Sequence, residues 1–295
     1  MRLIAFYGED DLGMGRIEGD EVVTGGGPLD PSGRLGQEFA DALGWVSGDP
    51  EVRMPLAGLE GAPIVLAPTK IVCVGLNYRE HAAEGGRDAP ERPLLFAKFS
   101  NTIVGDGDRV VRPEGSHALD LEVELGVVIG RRARRVPRDA ALRHVAGYIV
   151  VNDISARDWQ GNAQALREGE KGDGQWLRAK GSDTFLPMGS VLVTTDELDP
   201  AAGLRLRSWH IGADGTERLM QDGTTADMIH DVPALVAFIS SVITLEPGDV
   251  IATGTPSGVG VFRDPPVFLE PGDRMRCEID GIGSVENPIV EWYEA

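Results

Sequence analysis

LDLEVELGVVIG, Leu119–Gly130, opens with alternating acidic and apolar residues and closes on a wholly apolar run. Successive side chains of an extended strand point to opposite faces. Asp120, Glu122 and Glu124 are therefore expected on one face, with Leu121, Val123 and Leu125 on the other. Gly126 to Ile129 read as buried on both sides, so the acidic face leads into the interior. A further carboxylate, Asp153, ends the apolar run AGYIVVND. If neighbouring strands set Asp153 beside Glu122 and Glu124, three anions meet. Two unit charges 4 Å apart repel by ~4 kcal/mol at an effective dielectric of 20. Such a cluster needs a cation or shared protons, and all-oxygen donors favour Mg²⁺, Mn²⁺ or Ca²⁺ over zinc.

Strand-like runs continue on both sides: PTKIVCVG, PLLFAKF, GYIVVND, GSVLVTT, LRLRSWHI, DVIATG, RMRCEI and SVENPIV. Helical patterns are fewer, the clearest being SARDWQGNAQAL and TADMIHDVPALVAFISSVI. The regular strand–helix alternation of a doubly wound fold is missing, so the expected class is α+β with strands dominant. Residues 1–66 read as a small N-terminal domain, with strands RLIAFYG, GRIEGDEVV and APIVLAP and a helix over LGQEFADALGW. Residues 67–295 form the main domain. LEPGD occurs twice, at Leu245–Asp249 and Leu269–Asp273, where a Pro-Gly turn precedes a strand. The turn accounts for both copies, and no domain repeat is read from them.

The 295 residues carry a net charge of -19, which disfavours nucleic acid and anionic membrane surfaces as partners. No apolar run approaches the ~20 residues that span a bilayer. The N-terminus MRLIAFYGEDD turns acidic at once, so no signal peptide is expected and the reading is cytoplasmic. Cys73 and Cys277 are read as buried free thiols. Only Lys70, Lys98, Lys171 and Lys180 are lysines among 28 basic residues, a bias expected of a GC-rich bacterial genome.

In KIVCVGLNYREHAAEGG, Lys70–Gly86, an apolar strand gives way to a short helix carrying His81 and Glu84. At i and i+3 the two share a helix face. A carboxylate beside an imidazole fixes its tautomer and raises its basicity, as a general base requires. A helix this short is marginal alone, and Gly85-Gly86 offers a hinge, so a lid over bound substrate is expected. His117 competes for the role but lacks a partner at helical spacing, and His144, His210 and His230 look incidental. If the chain after Asp153 is helical, Arg157 and Gln160 fall on its face. Lys180 opens the Gly/Pro-punctuated loop KGSDTFLPMGS. DVIATGTPSGVG lacks the Lys-Ser/Thr of a P-loop, although Thr253 and nearby N–H groups suit a small anion.

GLNYREHAAE, LDLEVELGVVIG, VVNDISARDWQ, KGSDTFLPMGS, TADMIHDVPALVAFIS and LEPGDVIATGTPSGVG, in that order, resemble the fumarylacetoacetate hydrolase family over residues 66–292. The resemblance implies a mixed β-roll catalytic domain with a small N-terminal α/β domain, normally as a homodimer. It makes Glu122, Glu124 and Asp153 ligands of Mg²⁺ or Mn²⁺ and His81–Glu84 the catalytic dyad. It places Arg157 near the metal carboxylates, and Gln160, Lys180 and Thr253 against a 2-oxo acid substrate. Lys180 would also stabilise the charge of an enolate. The implied reaction is hydrolysis of a C–C bond in a 2,4-dioxo acid of acylpyruvate type. Decarboxylation of an oxaloacetate-like β-keto acid, or isomerisation or hydration of a 2-hydroxydienoate, is the enzymatic alternative. A 2-oxo acid or metal sensor is the alternative from another class, but binding alone needs no base dyad. Two departures bear on the substrate: the segment Gly161–Asp173 looks inserted, and Ser182 stands where an aromatic is common. The insertion is expected to shape the pocket entrance.

Overall fold

The computed structural model describes residues 1–8, 12–24 and 52–294. The helix expected over LGQEFADALGW, 35–45, lies outside the described residues. Strands dominate, as the sequence pattern requires, in two main sheets. The larger has ten strands among the described residues. Its order is Val52–Pro55, Glu21–Thr24, Leu12–Glu18, Arg2–Tyr7, Val191–Thr194, Val145–Asn152, Val123–Ile129, Val250–Ala252, Ile71–Gly75, Leu94–Lys98. All neighbours are antiparallel except Val250–Ala252 and Ile71–Gly75, which run parallel. Strand Arg2–Tyr7 pairs directly with Val191–Thr194, so the N-terminal strands extend the sheet of the main body.

The second sheet has the order Glu217–Thr224, Arg205–Ile211, Arg274–Ile279, Gly283–Glu291, Val110–Arg112. Its inner face meets the larger sheet, where Leu125, Val127, Tyr148 and Val150 pack with Leu206, Met275, Cys277 and Ile279. The opposite face of the larger sheet is also covered. There Cys73, Val128, Ile149 and Val151 pack with Leu3, Met14 and Ile64. Val123–Ile129 is therefore buried throughout, which explains its unbroken apolar end.

Four α-helices occur among the described residues: α1 (Arg79–Glu84), α2 (Arg157–Gln160), α3 (Trp176–Lys180) and α4 (Val232–Val242). Two are shorter than the sequence pattern suggests. α4 begins only after Asp231, whose side chain caps the helix by accepting from Ala234 N at 2.9 Å. The preceding Thr225–Asp227 is a separate 3₁₀ turn. α2 stops after Gln160 because Gly161 adopts φ +90°, a left-handed stop that glycine takes without Cβ strain. The expected strand APIVLAP is instead an irregular segment with bends at Ile64 and Leu66, buried over Ala62–Val65 and docked by Ala62 N on Ala5 O. Pro63 and Pro68 lack the donors that a ladder needs. No helix among the described residues is long and apolar enough to cross a membrane.

The strand Val191–Thr194, on which the N-terminal strands dock, packs tightly against Val145–Asn152. Gly147 pairs with Thr194, and a Cβ on Gly147 would stand 2.4 Å from Val193 O. Gly147→Ala should thus destabilise the fold by about 1–3 kcal/mol through overpacking, measured by urea denaturation.

Candidate active site

The site forms where three neighbouring strands of the large sheet meet at one end. Asp153 N donates to Glu122 O at 2.9 Å, and Asn152 Oδ1 accepts from Glu122 N at 2.9 Å. These bonds set Asp153 against Glu122. Glu124 lies two residues on, and its Oε2 accepts from Gly254 N at 2.8 Å, just beyond strand Val250–Ala252. One carboxylate oxygen from each of Glu122, Glu124 and Asp153 lies within 4.8 Å of the others, and all three residues are buried.

Asp120 departs from the expected single acidic face. The chain 119–130 is not one strand: Leu119–Asp120 pairs with Ser155–Ala156, and the main strand starts at Val123. Asp120 instead accepts from Leu121 N, Gly260 N and Val261 N at 2.8–3.0 Å and from Arg157 Nε at 2.9 Å. The expected helix face of Asp153, Arg157 and Gln160 is also absent, since the chain from Asp153 is extended until α2 begins at Arg157. Tertiary packing still gathers the three. Arg157 bridges Asp120 to Glu122 Oε1 and donates to Gln160 Oε1 at 2.9 Å.

Two buried lysines complete the charge pattern. Lys180 Nζ donates to Glu122 Oε2 and Asp153 Oδ2, each at 2.7 Å. Lys98 Nζ sits 2.8 Å from Asp153 Oδ1 and donates to the carbonyls of Ile154, Phe185 and Lys180. Burial pushes the Lys98 ammonium below its ordinary value despite Asp153. Burial also opposes charge on Lys180, but Asp153 and Glu122 outweigh it and raise that ammonium. Glu122 is likewise penalised by burial, yet Arg157 and Lys180 hold it far below the usual carboxylate range. Glu124 has no basic side chain bonded to it among the described residues. Burial first, then repulsion from Asp153 and Glu122, raises its carboxyl well above the ordinary value. The cluster's unmet demand for positive charge thus falls on Glu124. The buried all-oxygen donor set fits a hard divalent cation.

His81 and Glu84 meet as their spacing requires, with Nδ1 and Oε1 2.7 Å apart. Glu84 Oε2 also accepts from Gly258 N at 2.9 Å, which ties α1 to the glycine-rich segment after Val250–Ala252. Phe262 packs on the His81 ring at 6.1 Å between centroids, and Asp120 holds the neighbouring Gly260 and Val261. His81, Glu122, Glu124, Asp153, Arg157, Gln160 and Lys180 all line one cleft of about 140 Å³. Glu84 supports it from behind His81.

Thr253 does not line this cleft. Its hydroxyl donates to Leu125 O at 2.9 Å, and Thr255 stands in the wall instead. Of the segment Gly161–Asp173, Gly161 and Asn162 reach the cleft. Its far end is held away by Asp173–Arg178 at 2.7 Å and by Glu170 beside His117. His117 is thus a partner of Asp158 and Glu170, outside the cleft. Ser182 caps back onto Arg178 O and is also outside it. Sequence reasoning missed Lys98, although a lysine ending the apolar strand LLFAK among only four lysines is a signal that a buried anion waits for it. It also missed Arg87 and the aromatic walls Phe96, Trp176 and Phe262, whose positions no local pattern reveals.

A β-rich fold enclosing a buried acidic triad, a basic trio and a His–Glu pair defines a class of small-molecule enzyme site. The chain belongs to the fumarylacetoacetate hydrolase family: the fumarylacetoacetate (FAA) hydrolase C-terminal domain matches residues 70–290. It is 44% identical over 229 residues to the mitochondrial oxaloacetate tautomerase fahd2 of Xenopus laevis, covering 78% of this chain and 67% of that protein. Among solved structures it resembles the 2-hydroxyhepta-2,4-diene-1,7-dioate isomerase of Mycobacterium marinum (34% identity, TM-score 0.74, 99% of each chain). It also resembles the fumarylacetoacetate hydrolase of Exiguobacterium antarcticum (32% identity, TM-score 0.81, 99% of each chain).

A carboxyl raised in the fold favours its protonated form. Its contribution to stability is therefore largest below its ordinary value of 4.5 and falls as pH rises above it. Without divalent ions, Glu124→Gln should raise the melting temperature at pH 8 and flatten the decline of stability from pH 5 to pH 8. Thermal melts across that range, with chelator present, check both signs.

Proposed function

We propose that the cleft catalyses proton transfer at the carbon beside the keto group of a 2-oxo acid, interconverting keto and enol forms. One observation carries this reading: the His81–Glu84 pair, 2.7 Å apart, opens on the same cleft as Lys180 and the three carboxylates. The names of two relatives, a tautomerase and an isomerase, support proton transfer as the reaction type.

Glu84 holds His81 at Nδ1, which leaves Nε2 as the nitrogen that exchanges a proton with substrate. The C–H bond beside the keto group breaks toward Nε2. Its electron pair forms the new C–C double bond, and the keto oxygen takes the charge. His81 returns the proton to oxygen, or to carbon in the reverse direction. Lys180, kept cationic by Asp153 and Glu122, faces the developing negative charge. Arg157 and Gln160, joined at 2.9 Å, form a polar wall for the substrate carboxylate. Glu122, Glu124 and Asp153 would hold a Mg²⁺ or Mn²⁺ ion, which supplies Lewis-acid stabilisation of charge on the keto oxygen. Displacement of the Lys180 ammonium from Glu122 and Asp153 would free it to meet substrate.

A second reading is hydrolysis of a 2,4-dioxo acid, favoured by the likeness to the Exiguobacterium hydrolase. There the same dyad would take its proton from water, and attack on the distal carbonyl would cleave the C–C bond. Incubation with Mg²⁺ separates the two. Enol–keto interconversion of oxaloacetate, followed by ultraviolet absorbance, should exceed the buffer-catalysed rate. Cleavage of acetopyruvate without any such interconversion would replace the first reading with the second.

The roles divide cleanly in variants. His81→Ala should lower kcat by ~10²–10⁴-fold, the usual range for a lost general base, while retaining Mg²⁺ affinity in calorimetry. Glu84→Gln should give a smaller loss, because the imidazole stays but loses its charged partner. Glu122→Ala should abolish thermal stabilisation by Mg²⁺.

A further inference from the structure

The cleft has a second cationic pole. Lys180 and Arg157 are engaged at its floor by Glu122, Asp153 and Asp120. Arg87 also lines the cleft, but it is exposed to solvent and stands at the outer end. No carboxylate among the described residues lies within ion-pair distance of its guanidinium, in a chain with 47 acidic residues and net charge -19. Its placement is built into the backbone. Gly86 takes φ +66°, a left-handed turn that reverses the chain after α1, and Arg87 N then bonds Ala82 O at 2.9 Å. The apolar part of the lining is formed by Leu76, Phe96, Trp176 and Phe262.

A buried floor that takes a 2-oxo acid head and an exposed, unpaired guanidinium lining the same cleft describe a ligand charged at both ends. We propose that Arg87 is a specificity-determining residue that binds the second carboxylate of a 2-oxo dicarboxylic acid. The inference rests on the 2-oxo acid reading of the floor. An arginine fork matches a carboxylate in geometry and charge, and the half-exposed rim leaves room for substrates of different lengths. Its position on the segment that ends α1 also couples the two functions. Anchoring a distal carboxylate on Arg87 steadies the helix that carries His81.

The test compares oxaloacetate with its 4-methyl monoester, which differ only in the second carboxylate. Wild type, Arg87→Ala and Arg87→Lys are assayed as Mg²⁺-loaded protein, both for enol–keto turnover and for binding by calorimetry. Wild type should prefer the diacid. In Arg87→Ala the KM for oxaloacetate should rise roughly 10- to 100-fold, the range of a lost charged hydrogen bond, and the preference over the monoester should collapse toward one. Arg87→Lys should restore part of the preference. An Arg87→Ala protein that still prefers the diacid as wild type does overturns the inference, as does a wild type with no preference. If no protein turns over either compound, the reaction reading fails, and the calorimetric preference alone then decides Arg87.

Discussion

Everything in this site depends on how three buried carboxylates are kept from repelling one another. Taking charges out of water costs several kcal/mol per ion, and only close pairing with complete hydrogen bonding offsets that. Glu122 meets the condition, and Asp153 is close-paired with two buried cations although its Oδ1 has no hydrogen bond. Lys180 bonds both, Arg157 bonds Glu122, and Lys98 lies on Asp153 while also donating to three carbonyls. Glu124 does not meet it, having one backbone N–H as its hydrogen-bond donor. The cluster is therefore asymmetric: Arg157 and Lys180 hold Glu122 ionised, while burial and its acidic neighbours drive Glu124 toward its neutral form.

The same constraint shapes the backbone around it. A continuous strand through Leu119–Gly130 would line up Asp120 with Glu122 and add a fourth anion to the face. The break before Val123 instead turns Asp120 onto Arg157 and onto the backbone N–H groups of Gly260 and Val261. This one carboxylate thus orients the guanidinium that neutralises Glu122 and fixes the segment whose Phe262 packs on His81. The acidic floor and the His–Glu pair are mechanically linked through it. Gly254 and Gly258 serve the same segment. Gly254 N meets Glu124, Gly258 N meets Glu84, and both have positive φ, at +95° and +102°. A side chain at Gly258 would also collide with Met220 O at 2.4 Å.

The arrangement separates tasks along the cleft. Its floor handles charge, through acids and cations that offset one another. Its wall carries an imidazole held at one nitrogen by Glu84. Its lining also includes the exposed guanidinium of Arg87. The segment Gly161–Asp173 contributes only Gly161 and Asn162 to the lining, and its ion pairs draw the remainder toward Arg178 and His117.

Much of this was legible in the sequence. Period-two alternation marks the strands and the core direction of Glu122 and Glu124, because burial of one face dictates that pattern. The i, i+3 spacing brings His81 and Glu84 together, because a helical turn enforces it locally. What sequence could not give were the relations between segments. Asp120 and Glu122 share a periodicity but not an environment, since a strand break depends on Gly260 and Val261, 140 residues away in the chain. Asp153, Arg157 and Gln160 converge without the helix their spacing suggested, because Gly161 and the Ser155–Ala156 pairing limit α2 to four residues. Thr253 and Thr255 are both polar residues of one glycine-rich turn, yet only Thr255 lines the cleft. Lys98 pairs with an acid 55 positions later. Local periodicity follows from covalent geometry and is written in each segment. The partner of a buried charge is chosen by whichever distant segment the sheets bring within a few ångströms, and only the folded chain decides that.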